Sequence, residues 1–416
     1  MAVSKHAIAE WRSFWFLPFV AALGYSTSVI HVYSLGPFIE PLQQAFDWSR
    51  AQTSMGISIA SFISAIFCIP VGIVVDRIGP RRVGLMGVLL ITAAFALLGT
   101  ATGSMTNWML LWTVLAFGTL FVQATVWTSA VASRFHASRG FAFAITLSGA
   151  SISAAAFPVL ATWLIGAYDW RTAFWGMAGI WAMLVFPLLF FGFRGAQDTS
   201  KRSPVAAASP ARVLKGLTLS EGLRSPTLYK LLLASCLFSF TAIGALVHFV
   251  PILKDAGAEP LAAAGIASLV GIFSIIGRLG TGVLLDRFPA HVIGAIAFML
   301  PIVTAVLLLS VGDNPLAQAI AAAALGLTVG SEVDVIAYLA SKHFGLKNFG
   351  ALYGALVMAL SMGTAFGPLA AGSVFDHAQS YDPFLLAAIV LMAISALALL
   401  SLGKPPAELA DEVHGY

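Results

Sequence analysis

GIVVDRIGPRR, from Gly72 to Arg82, is the stretch on which the reading of this chain turns. An apolar run ends there on an acidic–basic pair, Asp76-Arg77, followed at once by Arg81 and Arg82. The pattern Gly72-x-x-x-Asp76-Arg77 returns 210 residues later as Gly282-x-x-x-Asp286-Arg287, within GVLLDRF at 282–288. Pro158 and Pro368 stand at the same shift, as do Pro41 and Pro251. Several pairs at one shift mark an internal repeat, so the chain is built of two related halves.

Outward from these motifs, 59% of the 416 residues are hydrophobic and only 10% are charged, with a mean hydropathy of +0.92. Soluble proteins carry about 25% charged residues. So few charges cannot cover a water-facing surface of this size, and lipid must be the solvent for most of it. The net charge of +4 therefore does not point to nucleic acid; where the charges lie matters more than their sum. Cys68 and Cys236 both fall in apolar runs, which indicates neither a disulfide framework nor a metal site. No small-residue cleavage site follows a short apolar segment near Met1, so the first apolar run reads as an uncleaved first helix.

A membrane helix needs about 20 apolar residues to cross a core of about 30 Å. By that measure spans fall at 14–36, 53–75, 83–103, 107–133, 140–166 and 172–193, then at 229–253, 261–285, 292–311, 316–340, 349–374 and 383–403. The expected fold class is an all-α membrane protein of twelve transmembrane helices in two pseudo-symmetric six-helix bundles. Residues 1–193 form the N-terminal half and 228–416 the C-terminal half, joined by a Ser/Pro/Ala-rich, basic linker at 194–227. With the N-terminus inside, 18 of the 22 Lys and Arg fall on the cytoplasmic side. Only Arg50, Arg171 and Lys254 lie outside, and Arg278 lies within a span. This asymmetry places both termini in the cytoplasm of a cell (inner) membrane.

The 72–82 and 282–288 motifs resemble the loop signatures of the major facilitator superfamily. Helix count, linker and length agree with that resemblance, which covers nearly the whole chain. It implies a secondary transporter working by alternating access, with the substrate site near midplane between the halves. Gly72, Asp76, Arg77, Arg81, Asp286 and Arg287 would then form gating charge networks that rearrange as the halves rock. Four further stretches look like the monocarboxylate porter and oxalate/formate antiporter branch: GPFIEPLQQAFDWSRAQTS at 36–54, RFHASRGFAFAITLSGA at 134–150, GRLGTGVLLDRF at 277–288 and GSEVDVIAYLASKHFG at 330–345. Ser274 stands where many of that branch carry Asp, and the eleventh span has no Lys. Proton coupling and counter-anion exchange both stay open.

An ionisable group inside a span costs about 2.5–3.5 kcal/mol on insertion scales and is a functional candidate by default. Arg278 lies eight residues before Asp286, and Glu332 and Asp334 lie ten and eight residues before Lys342. At 1.5 Å per residue all three sit about 12–15 Å from the inner helix ends, near midplane. Glu332 and Asp334 are about 200° apart on their helix, so at most one readily faces Arg278. Arg278 is the expected substrate anchor, and Glu332 or Asp334 the expected proton-coupling group. A structural ion pair, or a carboxyl that stabilises the tenth helix, is the alternative. Tyr338, four residues after Asp334, is a candidate hydrogen-bond partner for it.

His31 in the first span and His248 in the seventh are read as related positions, both candidates for substrate binding. Anchored on Phe38-x-Glu40, His31 aligns by resemblance with the first-helix Lys of monocarboxylate porters. Tyr25 and Gln123 are further pore-facing candidates, with helix–helix hydrogen bonding as the plainer role for all four. Trp108, Trp112, Trp163, Trp170 and Trp175 read as an interfacial belt. Gly363, Gly367 and Pro368 suit close packing or a bend.

Taken together, these residues lead to an expected transporter of a small organic anion, most of all a monocarboxylate, coupled to protons or a counter-anion. The alternatives are an exporter of apolar or cationic compounds, a carboxylate exchanger and, on a different class of function, a transporter-like sensor. No phosphate loop, nucleophile elbow, metal cluster or cofactor signature appears, so neither an enzyme nor a cofactor is expected. The expected partners are the bilayer, the substrate and its coupling ion, with no nucleic acid, and the expected assembly is a monomer.

Overall fold

The computed structural model describes residues 5–135, 137–196, 216–345 and 347–403, without the side chains at positions 5, 68, 69, 72, 73, 76 and 286. Among these residues the chain is helical, and no β-strand forms. Eleven helical segments are long and apolar enough to cross a membrane. Arg50–Ile78, a helix of 29 residues, adds one more of spanning length, about 43 Å at 1.5 Å per residue. Each of the twelve expected spans is thus met by a helix. The chain divides into two compact units, Met1–Ala206 with Pro260–Gly271, and Ala207–Glu259 with Ile272–Tyr416.

The first unit holds α1 (Lys5–Phe14), α2 (Phe16–Thr27), α3 (Ile30–Phe46), α4 (Arg50–Ile78) and α5 (Pro80–Leu97). It continues with α6 (Met105–Leu120), α7 (Ala124–Ala132), α8 (Arg139–Leu147), α9 (Gly149–Ala167) and α10 (Trp170–Gly192). Three spans are broken: the first at Ser28–Val29, the fourth at Phe121–Gln123 and the fifth at Ser148. Local chemistry sets the helix starts. Ser49 and Gln52 form a reciprocal capping box at the head of α4. Asp169 opens α10 by accepting from the backbone N–H groups of Arg171 at 2.7 Å and Thr172 at 3.0 Å. The Thr172 backbone bond, and then its hydroxyl, hold the exposed Asp169 carboxyl below the usual carboxylate range. Where α9 crosses α2, a side chain at Gly149 would run into the carbonyl of Ala22, so only glycine permits this approach.

One element lies outside the expected spans, and one expectation needs correction. The chain is already helical before the first span, because α1 docks on the loop between the fourth and fifth spans. Glu10 accepts from the backbone N–H groups of Ala137 (2.8 Å) and Ser138 (3.1 Å) and from the Ser138 hydroxyl (2.9 Å), while Trp11 packs on Phe135 and Phe141. Nor do all the tryptophans form an interfacial belt. Trp163 and Trp175 are half exposed, but Trp108 and Trp112 are fully buried, packed on each other and on Trp48 and His31. The Trp112 indole fills the gap left by Gly56 on α4, where any side chain would overlap it.

The second unit holds α11 (Leu219–Arg224), α12 (Pro226–Val247), α13 (Phe249–Asp255) and most of α14 (Pro260–Arg287). After it come α15 (Ala290–Val311), α16 (Pro315–Phe344), α17 (Phe349–Ala378) and α18 (Asp382–Leu400). The seventh span breaks at His248, between α12 and α13. Gly363 and Gly367 of α17 lie against the backbone of α12 at Cys236 and Phe240, the close packing their size allows. Of the expected linker, 197–215 lies outside the described residues. Its far end is ordered chemistry rather than plain coil. A Thr218–Glu221 capping box opens α11, the Leu217 N–H donates to the Phe344 carbonyl (2.9 Å), and Asn348 Nδ2 donates to the Leu217 carbonyl (2.9 Å). Each half therefore carries a short helix ahead of its first span that ties down the loop between its own fourth and fifth spans. The loop residues involved, Ser138 and Asn348, stand at the same 210-residue shift as the sequence repeats.

Candidate functional site

The midplane of the second unit is organised by the crossing of α14 and α16, which run in the same direction. A side chain at Gly277 of α14 would collide with the Leu327 carbonyl of α16, and one at Gly330 of α16 would collide with the Ser274 carbonyl of α14. The helices therefore touch backbone to backbone at two reciprocal points. One turn on, the hydroxyls of Thr281 and Ser331 are hydrogen-bonded at 2.6 Å, and Ser331 Oγ also donates to Leu327 O of its own helix at 2.6 Å. These contacts fix the register of the two helices.

That register sets Arg278 beside Asp334, with Nη1 3.5 Å from Oδ1. The Arg278 side chain is 10% exposed and that of Asp334 31%. A well-formed guanidinium–carboxylate contact closes to about 2.7–2.9 Å, so this pair is loose and single-pronged. Arg278 Nε is buried with no hydrogen-bond partner among the described residues. Asp334 is paired with Arg278 rather than with Tyr338, whose ring lies below the Lys342 ammonium at 5.4 Å. Glu332 is 7% exposed and makes no hydrogen bond or ion pair among the described residues, although it feels the Arg278 charge. The two acids thus differ as their spacing on the helix requires: one meets the guanidinium and reaches solvent, the other is enclosed.

The remaining expected site residues separate by environment. His248 is fully buried with both ring nitrogens engaged, Nδ1 by the Tyr381 hydroxyl at 2.6 Å and Nε2 by the Pro368 carbonyl at 2.9 Å. A carbonyl only accepts, so Nε2 carries the proton. The ring bridges the break in the seventh span to α17 and to Tyr381, which precedes α18. Nor does the repeat relate it to His31: the 210-residue shift pairs His31 with Thr241, not His248. In the first unit His31 is 8% exposed, edge-on to Trp112, and its Nδ1 has no hydrogen-bond partner among the described residues. Half-buried Tyr25 lies on α2 just before the break in the first span, and Gln123 is the N-cap position of α7 at the break in the fourth.

Among the residues expected to act in gating, Arg81 donates through Nη2 to the Phe190 carbonyl at 2.7 Å, near the C-terminal end of α10, where a cation suits the helix dipole. Arg77 and Arg287 are exposed. The side chains of Asp76 and Asp286 lie outside what the structure describes, and Gly72 is described only as part of α4. No group of three His, Cys, Asp or Glu that could hold a metal is found among the described residues. Sequence reading missed Thr281 and Ser331 as partners. The signal for them was Gly277 and Thr281, four residues apart on one helix, with Gly330 and Ser331 on the other, small residues of the kind that mark close helix contact in membranes.

The helical architecture, the duplicated half and the buried charges belong to one class of protein. This chain is a member of the Major Facilitator Superfamily, whose sequence profile matches residues 14–346. It is similar to monocarboxylate transporter 13 of Rattus norvegicus, 27% identical over 376 residues that cover 88% of this chain and 83% of that protein. It is also similar to a chloramphenicol resistance protein of Streptomyces lividans, 27% identical over 329 residues covering 77% and 79%. In three dimensions it resembles a bacterial homologue of the human lysosomal transporter Spinster, in an inward-facing and unoccupied conformation. The TM-score is 0.70 at 17% identity, over 94% of this chain and 97% of the other.

Proposed function

We propose that the protein moves a small organic anion, a monocarboxylate in the first instance, across the cell membrane by alternating access. The observation that carries the reading is Arg278: a buried guanidinium held by one long contact, with Nε left without a hydrogen-bond partner among the described residues. A substrate carboxylate would take the paired donors that Asp334 fills only in part. Asp334 is the internal counter-ion that yields Arg278 to the anion and reclaims it on release. Glu332 is the enclosed acid suited to carrying a coupling proton, and His31 is a further substrate-binding group. The likeness to a monocarboxylate transporter over most of both chains supports the substrate class.

Asp76 and Asp286, with their neighbouring arginines, act in gating rather than in substrate contact, and both termini face the cytoplasm. A second reading, export of an apolar or cationic compound, draws on Glu332, which has no ion pair among the described residues, and on the chloramphenicol resistance relative. Proteoliposomes loaded with buffer, or with unlabelled carboxylate for exchange, separate the readings. Labelled lactate or pyruvate should accumulate under an inward proton gradient or exchange against the internal carboxylate. Transport of chloramphenicol with no carboxylate flux in either mode would favour export and overturn the anion reading.

A further inference from the structure

A groove of about 580 Å³ lies between α14, α15 and α16, wholly within the second unit. Its floor includes Gly277, Thr281 and Ser331, whose two hydroxyls are bonded to each other and so offer little to a polar ligand. The mouth is apolar and open: Ile276, Phe288 and Ile296 are 52%, 54% and 56% exposed. Water in such a space would lack the two to four polar partners it needs. An empty groove would forfeit the dispersion contacts of every lining atom. At the depth of a membrane span, hydrocarbon is what remains to fill it.

The shape narrows the choice. Along α15 the lining runs from Val292 to Leu300, with Phe288 and Pro289 closing one end at the α14–α15 loop. Those 12 positions from 289 to 300 span about 17 Å, roughly half of a hydrocarbon core of about 30 Å. That is the depth of one leaflet. At the closed end Arg287 is exposed and His291 half exposed, so a cation stands where a lipid phosphate would lie.

We propose that this groove is a phospholipid site, with one acyl chain between α14, α15 and α16 and the phosphate at Arg287. The proposal stands independently of the anion reading. Gly280 provides the handle for a test, because a side chain there meets nothing within 4 Å. Gly280→Leu fills the groove without forcing the helices apart, and Ile296→Trp fills it from the opposite wall.

Wild type and both variants are purified from the same membranes in mild detergent, examined by native mass spectrometry, and assayed for phospholipid phosphorus per protein. The wild type should keep a bound phospholipid, and each filled variant should keep about tenfold less. Added phosphatidylglycerol should raise the melting temperature of the wild type and not of either variant. Arg287→Gln should weaken retention of phospholipid while leaving binding of a long-chain alcohol unchanged. Equal retention by wild type and both filled variants overturns the proposal. So does a wild-type adduct that is detergent, a carboxylate substrate or a second copy of the chain.

Discussion

Replacing Asp334 by Asn removes the internal counter-charge of Arg278 and leaves the side chain's size almost unchanged. At 3.5 Å and an effective dielectric of about 20, the attraction within the pair is about 5 kcal/mol. Asp334 is 31% exposed, and water screening reduces the net worth of such a contact to about 1.5–3 kcal/mol. An incoming carboxylate must displace that contact before it can use the guanidinium. With tenfold in affinity per 1.4 kcal/mol, Asp334→Asn should bind lactate or pyruvate about 10–100-fold more tightly than the wild type. The empty variant carries an unpaired buried cation and should melt lower, and added carboxylate should restore its melting temperature by mass action. Turnover should fall, because no internal carboxylate reclaims Arg278 to expel the anion. Isothermal titration in nanodiscs measures the affinity, and counterflow in proteoliposomes measures the turnover. Unchanged or weaker binding by a folded Asp334→Asn protein would refute the competition between Asp334 and substrate.

Further outcomes follow from other contacts. In a background lacking Cys68 and Cys236, Thr281→Cys with Ser331→Cys should oxidise to a disulfide and leave transport intact, since the hydroxyls already meet at 2.6 Å and the helices are locked. Transport that is lost on oxidation and regained with reductant would show that α14 and α16 slide during the cycle. Glu10→Ala removes three hydrogen bonds to the 137–138 loop and should cost about 1–3 kcal/mol, read as a melting temperature lower by about 2–4 °C per kcal/mol. An unshifted melting curve would mean that α1 contributes nothing to the folded state. Asp169→Ala should cost about 1 kcal/mol at neutral pH through loss of the cap. Because the folded carboxyl titrates below its ordinary value, that stability is present above the ordinary value and fades as pH falls through the lowered one, so the variant and wild type should converge in strong acid. Cysteines at Ser104 and Asp313 should react with impermeant reagent added outside intact cells and one at Ser225 should not; the reverse pattern would invert the proposed orientation.

Much of this molecule is legible in its residues because the bilayer imposes few solutions. Backbone groups in hydrocarbon must be paired within the segment, so an apolar run of sufficient length is a helix whatever surrounds it. The repeat of Gly72-x-x-x-Asp76-Arg77 at 282–287 needs no coordinates to be seen, and neither does the rarity of charge within the spans. Arg278, Glu332 and Asp334 were identifiable for the same reason: each is costly where it lies. The tryptophans show the limit of that logic. Trp108 and Trp163 both read as interfacial anchors, yet one is enclosed and the other half exposed. Which face of a helix meets protein and which meets lipid depends on neighbours distant in the chain, since both environments are apolar.

By itself the sequence determined the membrane class, the helix positions, the duplication and the short list of buried charges. Tertiary structure decided which of those charges meet. Helical spacing alone leaves Glu332 and Asp334 equal candidates for Arg278. The choice falls to Asp334 because Gly277 and Gly330 let α14 and α16 close backbone to backbone, and Thr281 bonds Ser331 in a single register. The sequence shows His248 only as a polar group in a span; tertiary structure brings Tyr381 and Pro368 to its two nitrogens. A side chain's chemistry is local to its residue, but the partner that satisfies it comes from another helix, and only packing selects that partner.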